Sequence, residues 1–363
     1  MPNTDRNKQF WAKNRKAIAQ FGESNTRPQE RKECVVFLGL AQERNRTDHF
    51  PIFRHPFRNQ IEEWTLDKTI LTNGTKANGR TDCILVENTK TFQSMIQDLS
   101  SHREIALDAE MSLHHQGYHG SFLCILQIST LKTDYIIDVL KMAGEMPQLK
   151  QILESPTILK IFHGGDNDIL ALQADYKLFV VGFFDMQLLY QKLFSAERPK
   201  FEKLVQKFLN EEINVDKTAQ CADWTLRPLP TKMLRYARED SRLLLKCWIS
   251  AKPLIAQKLQ EDPLWINSIV NDCKKLALRL KRFKPQKYIQ NCVQKIGPGE
   301  REMTAAIASH IINSARITDM KPADIVPVPE LAQIIVNKKL TQIKTNRFIT
   351  PTDKLGIEKC MYN

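Results

Sequence analysis

Apolar residues recur along this chain with two different periods, and the change of period divides it. Cys83-Ile84-Leu85-Val86 is a short apolar run, the pattern of a strand, and Thr91 to Leu99 spaces its apolar positions for a helix. Three more runs follow closely: Ile105-Ala106-Leu107, Phe122 to Ser129, and Tyr135 to Val139. Strands in such quick succession predict antiparallel hairpins. The pattern then alternates. Met146 to Leu153 reads as helix, Ile158 to Phe162 as strand, Ile169 to Gln173 as helix, Phe179 to Phe183 as strand and Met186 to Leu193 as helix. Alternation of that kind predicts parallel strands joined by crossover helices. The expected core is a mixed α/β sheet of about five or six strands.

From Phe201 onward the spacing is helical, with Pro253 and Pro263 as punctuation. Residues 265–345 keep the helical period and are rich in Lys and Arg, which predicts a second, all-helical domain. Residues 1–80 are polar and irregular except at Cys34 to Leu40 and Phe50 to Phe57, and are read as an extended basic arm, with a partly disordered tail as the other reading. The resulting division is an arm at 1–80, an α/β domain at 81–255, a helical domain at 256–345 and a tail at 346–363. No internal repeat or low-complexity tract interrupts it.

Composition narrows the class. The 363 residues suffice for two modest domains. A net charge of +12 points to a polyanionic partner such as nucleic acid. No apolar run reaches the length of a membrane span and the polar N-terminus has no signal-peptide core, so no membrane partner and a place inside the cell are expected. The eight cysteines form no C-x-x-C pair, which predicts free thiols and no zinc site.

The candidate chemistry lies in three acidic segments. Asp108 and Glu110 follow the Ile105 strand, and residues two apart in a strand face the same way. Two carboxylates side by side call for a counter-charge, for which a divalent cation is suited. His163-Gly164-Gly165-Asp166-Asn167-Asp168 follows the next strand and opens a helix, at the sheet edge where α/β sites form. Asp166 is placed as the helix cap, and Asp168 inside the first turn. Tyr236 and Asp240, four apart in a helical segment, share one face. Taken singly, the second and third segments also suit plain structural roles, two caps and a phenol held by a carboxylate.

Taken in order, D-x-E, then an aspartate after H-G, then Y-x-x-x-D, the chain resembles the DEDDy 3′–5′ exonucleases and, within them, the RNase D-like family. Longer stretches resemble the branch associated with the nuclear exosome, the exosome component 10 type: Ala222-Asp223-Trp224-Thr225-Leu226-Arg227-Pro228-Leu229-Pro230, Lys160-Ile161-Phe162-His163-Gly164, Val180 to Asp185 and His55 to Ile61. The resemblance covers roughly residues 50–250; Met111 to Ser121 departs from it as a longer, His- and Gly-rich loop. Pro322 to Pro327 with Leu331 resembles a helicase-and-RNase-D C-terminal (HRDC) domain.

The resemblance implies an RNase H-like mixed sheet followed by an HRDC-like helical domain. It implies two divalent cations, Mg²⁺ or Mn²⁺, held by Asp108, Glu110, Asp168 and Asp240, with Tyr236 orienting the attacking water. It implies hydrolysis of RNA from an unpaired 3′ end to 5′-mononucleotides, in nuclear processing and decay of rRNA- and snoRNA-type transcripts, in the nucleus or nucleolus, with RNA exosome subunits as partners. His163, Trp224 and Arg227 are candidate substrate contacts, each with a structural reading beside it: a turn histidine, a loop lock and an ion pair. Asp185 is expected to cap the helix at Met186. The basic segment Lys274 to Arg282 reads either as a backbone-tracking helix or as a solvated face. Two other functions stand beside the first: a DNA 3′–5′ exonuclease of the same superfamily, and a non-catalytic RNA-binding scaffold.

Overall fold

The computed structural model describes residues 54–72, 81–117, 120–213, 217–280, 286–295, 300–318, 325–336 and 349–362. The Cys34 to Leu40 stretch, most of the arm and the Pro322 to Asp324 part of the HRDC resemblance lie outside them. The described chain forms two compact units, one spanning residues 53–113 and 123–281 and the other residues 114–122 and 282–363.

Apart from the last residues of β2 and the first of β3, the first unit holds strands β1 (Asp82–Val86), β2 (Glu104–Gly117), β3 (Gly120–Ser129), β4 (Thr133–Asp138), β5 (Leu159–Phe162) and β6 (Phe183–Asp185). They form one six-stranded sheet in the order β1-β4-β3-β2-β5-β6. β3 and β4 pair antiparallel, whereas β1 with β4, β2 with β5 and β5 with β6 are parallel. The mixed sheet is therefore as the alternation predicts. Its helices are α1 (Arg58–Glu63), α2 (Thr69–Thr72), α3 (Thr89–Leu99), α4 (Lys150–Leu153), α5 (Asp166–Tyr176), α6 (Met186–Phe194), α7 (Phe201–Leu209), α8 (Lys217–Gln220), α9 (Thr231–Glu261) and α10 (Trp265–Ala277).

Several expectations need correction. Residues 58–72 are not an arm: Ile61, Leu66, Ile70 and Leu71 are buried in the core of the first unit. That core also takes Ile266, Ile269, Val270 and Cys273 of α10, so this helix belongs with the sheet and the unit boundary falls at Lys281 rather than at 255. Met111 to Gly117 continues β2 as strand instead of forming a loop. Phe179 to Val181 is buried but not strand, because Gly182 turns the backbone at φ 75° before β6 begins. A Cβ on Gly182 would come within 2.9 Å of the Ile158 carbonyl oxygen, so only glycine lets the chain pass there.

Pro253 does not end a helix; it sits inside the 31-residue α9. Proline removes one backbone donor and normally kinks or breaks a helix. Side-chain rungs hold this one along its length. Arg238 pairs with Asp134 of β4, Ser241 with Ser129 of β3, and Trp248 and Lys252 with Glu104 at the start of β2. The Lys252–Glu104 pair is a buried ion pair at 2.6 Å.

Beyond residue 281 the described residues of the second unit are helical: α11 (Gln286–Gln294), α12 (Arg301–Thr318), α13 (Val328–Val336) and α14 (Pro351–Tyr362). The expected tail is thus largely α14. Thr350 accepts from the Asp353 amide, and Asp353 accepts from the hydroxyls of Thr350 and Ser314 and from the Asn313 amide, which fastens α14 to α12. Among the described residues no helix is long and apolar enough to cross a membrane, and the described cysteines are free thiols.

Candidate active site

Buried Ile105, Ala106 and Leu107 anchor β2 in the sheet and present Asp108 and Glu110 just beyond. One ligand atom from each of Asp108, Glu110 and Asp240 lies within 4.8 Å of the others. Residues far apart in the chain are therefore brought to one point by β2 and α9. Asp168, in the first turn of α5, stands outside this closest trio but within electrostatic reach of Asp108 and Glu110. The sequence-predicted four carboxylates converge.

The trio fits a hard divalent cation. Burial pushes the Asp108 carboxyl up to about 6. Burial, then the neighbouring carboxylates, holds Glu110, Asp168 and Asp240 well above the usual carboxylate range. Desolvation is the largest influence on each, followed by like charge at Glu110, Asp168 and Asp240. Clustered, desolvated oxygen donors lacking a cation are what a divalent ion with oxygen preference completes.

Tyr236 is one turn before Asp240 on α9, which sets its phenol beside the Asp240 carboxylate. Burial and the surrounding carboxylates drive the phenol's pKa far up, so the hydroxyl stays protonated and able to donate. Trp224, fully buried, backs the Tyr236 ring with centroids 6.1 Å apart. It is a wall for Tyr236 and has no surface to offer a substrate. Arg227 is likewise corrected. Its guanidinium forks onto Asp138 at 2.6 and 2.8 Å and donates to the carbonyls of Trp224, Leu226 and Cys124, which uses all five N–H groups. The ion pair is 13% and 2% exposed, so Arg227 locks the loop instead of meeting a phosphate.

His163 sits edge-on to Phe201, with ring centroids 5.3 Å apart, and burial lowers its pKa to about 4, keeping it neutral at ordinary pH. Its buried Nε2 has no protein partner. Asp166 is not the cap of α5: the helix starts on it, Gly165 is the cap position, and its carboxylate pairs with Arg279 at 2.9 Å. Asp185 does cap α6, accepting from the Gln187 amide at 2.7 Å. Two neighbours of the site were not legible as such. Cys221, directly before Ala222-Asp223-Trp224, adds to the charge field at Glu110, and Glu202 acts on both Asp240 and His163. Their only sequence signal was closeness to segments already singled out.

Residues 83–260 match the 3′–5′ exonuclease family profile. The chain is 32% identical to the mouse (Mus musculus) protein named exosome complex component 10, over 72% of its own length and 30% of that protein's. It is 34% identical to the Saccharomyces cerevisiae exosome complex exonuclease RRP6, over 58% of its own length and 28% of the relative's. The chain thus spans about a third of these relatives. Among solved structures, the catalytic core of Trypanosoma brucei RRP6 superposes with a TM-score of 0.64 at 24% identity, covering 85% of this chain and 86% of that one. Escherichia coli RNase D gives a TM-score of 0.60 at 20% identity over 78% and 76%. These two establish the likeness of fold.

Proposed function

We infer, from a chain whose residues 83–260 match the 3′–5′ exonuclease family, that it is a metal-dependent 3′–5′ exoribonuclease of the RNase D type. It removes 5′-mononucleotides one at a time from an unpaired RNA 3′ end. The observation that carries this reading is the convergence of Asp108, Glu110, Asp168 and Asp240 with a protonated Tyr236 beside them. Two cations, Mg²⁺ or Mn²⁺, suit these four carboxylates, and when bound they would neutralise the scissile phosphate and acidify a water.

The protein's own part is positioning. Asp108, Glu110 and Asp240 would hold one oxygen-lined point, and Asp168 a second. The Tyr236 hydroxyl would donate a hydrogen bond that orients the attacking water, its ring held by Trp224. A phenol driven this far from ionisation is a donor and not a base. The basic surplus of the chain would attract the RNA backbone, with the helical second unit, read as an HRDC-like module, guiding the strand. Likeness to exosome components supports a nuclear role in RNA processing and decay, with exosome subunits as partners.

The test is release of labelled 5′-mononucleotide from a 3′-end-labelled single-stranded RNA, with Mg²⁺ or Mn²⁺ and with chelator, beside a DNA strand of the same sequence. Rapid cleavage of RNA that stops in chelator is the expected result. Preference for the DNA strand would move the assignment to the DNA exonucleases, and binding without cleavage would leave a scaffold.

A further inference from the structure

Asp185 does more than cap one helix. It is fully buried at the end of β6. Its Oδ1 accepts from the Gln187 amide at 2.7 Å and from the Gly164 amide at 3.2 Å, while Oδ2 accepts from the Gly165 amide at 3.2 Å. One carboxylate therefore ties the start of α6 to the turn that opens α5. That turn has no tie of its own: α5 has no side-chain cap, since Gly165 stands at its cap position. It is also tightly folded. Gly164 is left-handed at φ 68°, and a Cβ on Gly165 would fall 2.7 Å from the Phe162 side chain. Asp168 projects from the first turn of α5, three residues past Gly165, so its place relative to Asp108 depends on how this turn is held. The amide of Asp185 in turn donates to Cys273 Sγ of α10 at 3.3 Å, which fixes β6 from behind.

We propose that Asp185 is a positioning residue for the metal centre. Its two oxygens, bridging the Gly164 and Gly165 amides to the start of α6, set the position from which Asp168 completes cation binding. This rests on the exonuclease reading above. Replacing Asp185 by Asn separates the roles. Asn caps a helix about as well as Asp, and its Oδ1 still accepts from the Gln187 and Gly164 amides, but its Nδ2 cannot accept from the Gly165 amide, so the cap survives and the hold on Gly165, the cap position of α5, is lost.

The experiment is a Mn²⁺ titration of the full chain followed by electron paramagnetic resonance, on parent, Asp185→Asn and Gly165→Ala, with single-stranded RNA turnover measured across Mn²⁺ concentrations. Loss of a group that orients a metal ligand costs about 10- to 100-fold in metal affinity. Both variants should weaken Mn²⁺ binding by about tenfold or more. Their turnover should be depressed at low Mn²⁺ and recover at high Mn²⁺, with KM for RNA unchanged. Gly165→Ala disturbs the same turn from its other side, so it keeps the proposal open to refutation if Asp185→Asn fails to fold. A variant that melts earlier yet binds Mn²⁺ like the parent makes Asp185 structural only and overturns the proposal. A parent that binds no Mn²⁺ and cuts no RNA defeats the exonuclease reading itself, a result distinct from a difference between parent and variants.

Discussion

Carboxylates that the fold pushes together repel one another, and that repulsion governs what a single substitution does. Burial pushes the Asp108 carboxyl from the ordinary aspartate range up to about 6 in the folded protein, so folding favours its protonated form. Its contribution to metal-free stability is complete below about pH 4 and is lost as pH rises through about 6. The metal-free protein should therefore melt at progressively lower temperature between pH 4.5 and 7 by calorimetry, and saturating Mg²⁺ should remove the slope. Asp108→Asn should abolish nucleotide release while raising the metal-free melting temperature at pH 7.5 by about 2–6 °C, the effect of roughly 1–2 kcal/mol on a domain of this size. Normal turnover in that variant would end the assignment. Tyr236→Phe removes only the hydroxyl and should lower kcat by about 10- to 100-fold with KM unchanged, since a group that positions or transfers a proton is worth at least that much; parental kcat would make Tyr236 a packing residue. At this scale strand and helix periods made legible that Asp108 faces with Glu110 and Tyr236 with Asp240, whereas only the family resemblance joined these pairs and Asp168 into one site. The role of Arg227 was not legible. An arginine in a loop has the same letters whether it meets a phosphate or, as here, spends every donor on Asp138 and three carbonyls.

At the scale of elements, α9 aligns the site by being fixed at several points across the sheet. Its buried rung, Lys252 on Glu104, can be tested by a cycle. Lys252→Met alone leaves the Glu104 carboxylate without its counter-charge, held only by Trp248, and should cost about 3–5 kcal/mol in a denaturant melt. Lys252→Met with Glu104→Gln should recover most of that loss; a double variant no better than the single would mean that the pair is not what the helix leans on. The elements also show where pattern reading stops. β6 was misplaced by a few residues because apolar Phe179 to Val181 is buried as fully as a strand, and only the left-handed Gly182 reveals the turn. Pro253 was read as a stop because local propensity ignores tertiary rungs. The start of α14 was missed although Thr350-Pro351-Thr352-Asp353 carries the signals for it, a hydroxyl cap, proline in the first turn and an acid three residues on.

For the whole molecule, the place of α10 decides where the chain can be cut. Ending it after residue 260 exposes a core face that Ile266, Ile269, Val270 and Cys273 cover, at about 1.5–3 kcal/mol for each large side chain, and circular dichroism should show an unfolded or poorly cooperative protein. Ending it after Lys281 keeps α10 and should leave a folded enzyme that still trims short single strands but holds long RNA less tightly. RNA affinity of the full chain should fall steeply with salt, by about 0.7 in log–log slope per phosphate contact; a flat response would assign the +12 charge elsewhere. The sheet and the acid order were readable in advance, but the boundary was not, because an amphipathic helix carries no mark of which core its apolar stripe will join. The spread of the site along the chain has a consequence during synthesis. Asp108 and Glu110 leave the ribosome early, while Tyr236 and Asp240 come near the end of the domain on a helix whose rungs reach back to β2, β3 and β4. On the reading proposed above, a growing chain cannot cut until that helix has emerged and docked, which would spare the messenger and ribosomal RNA of the machinery building it.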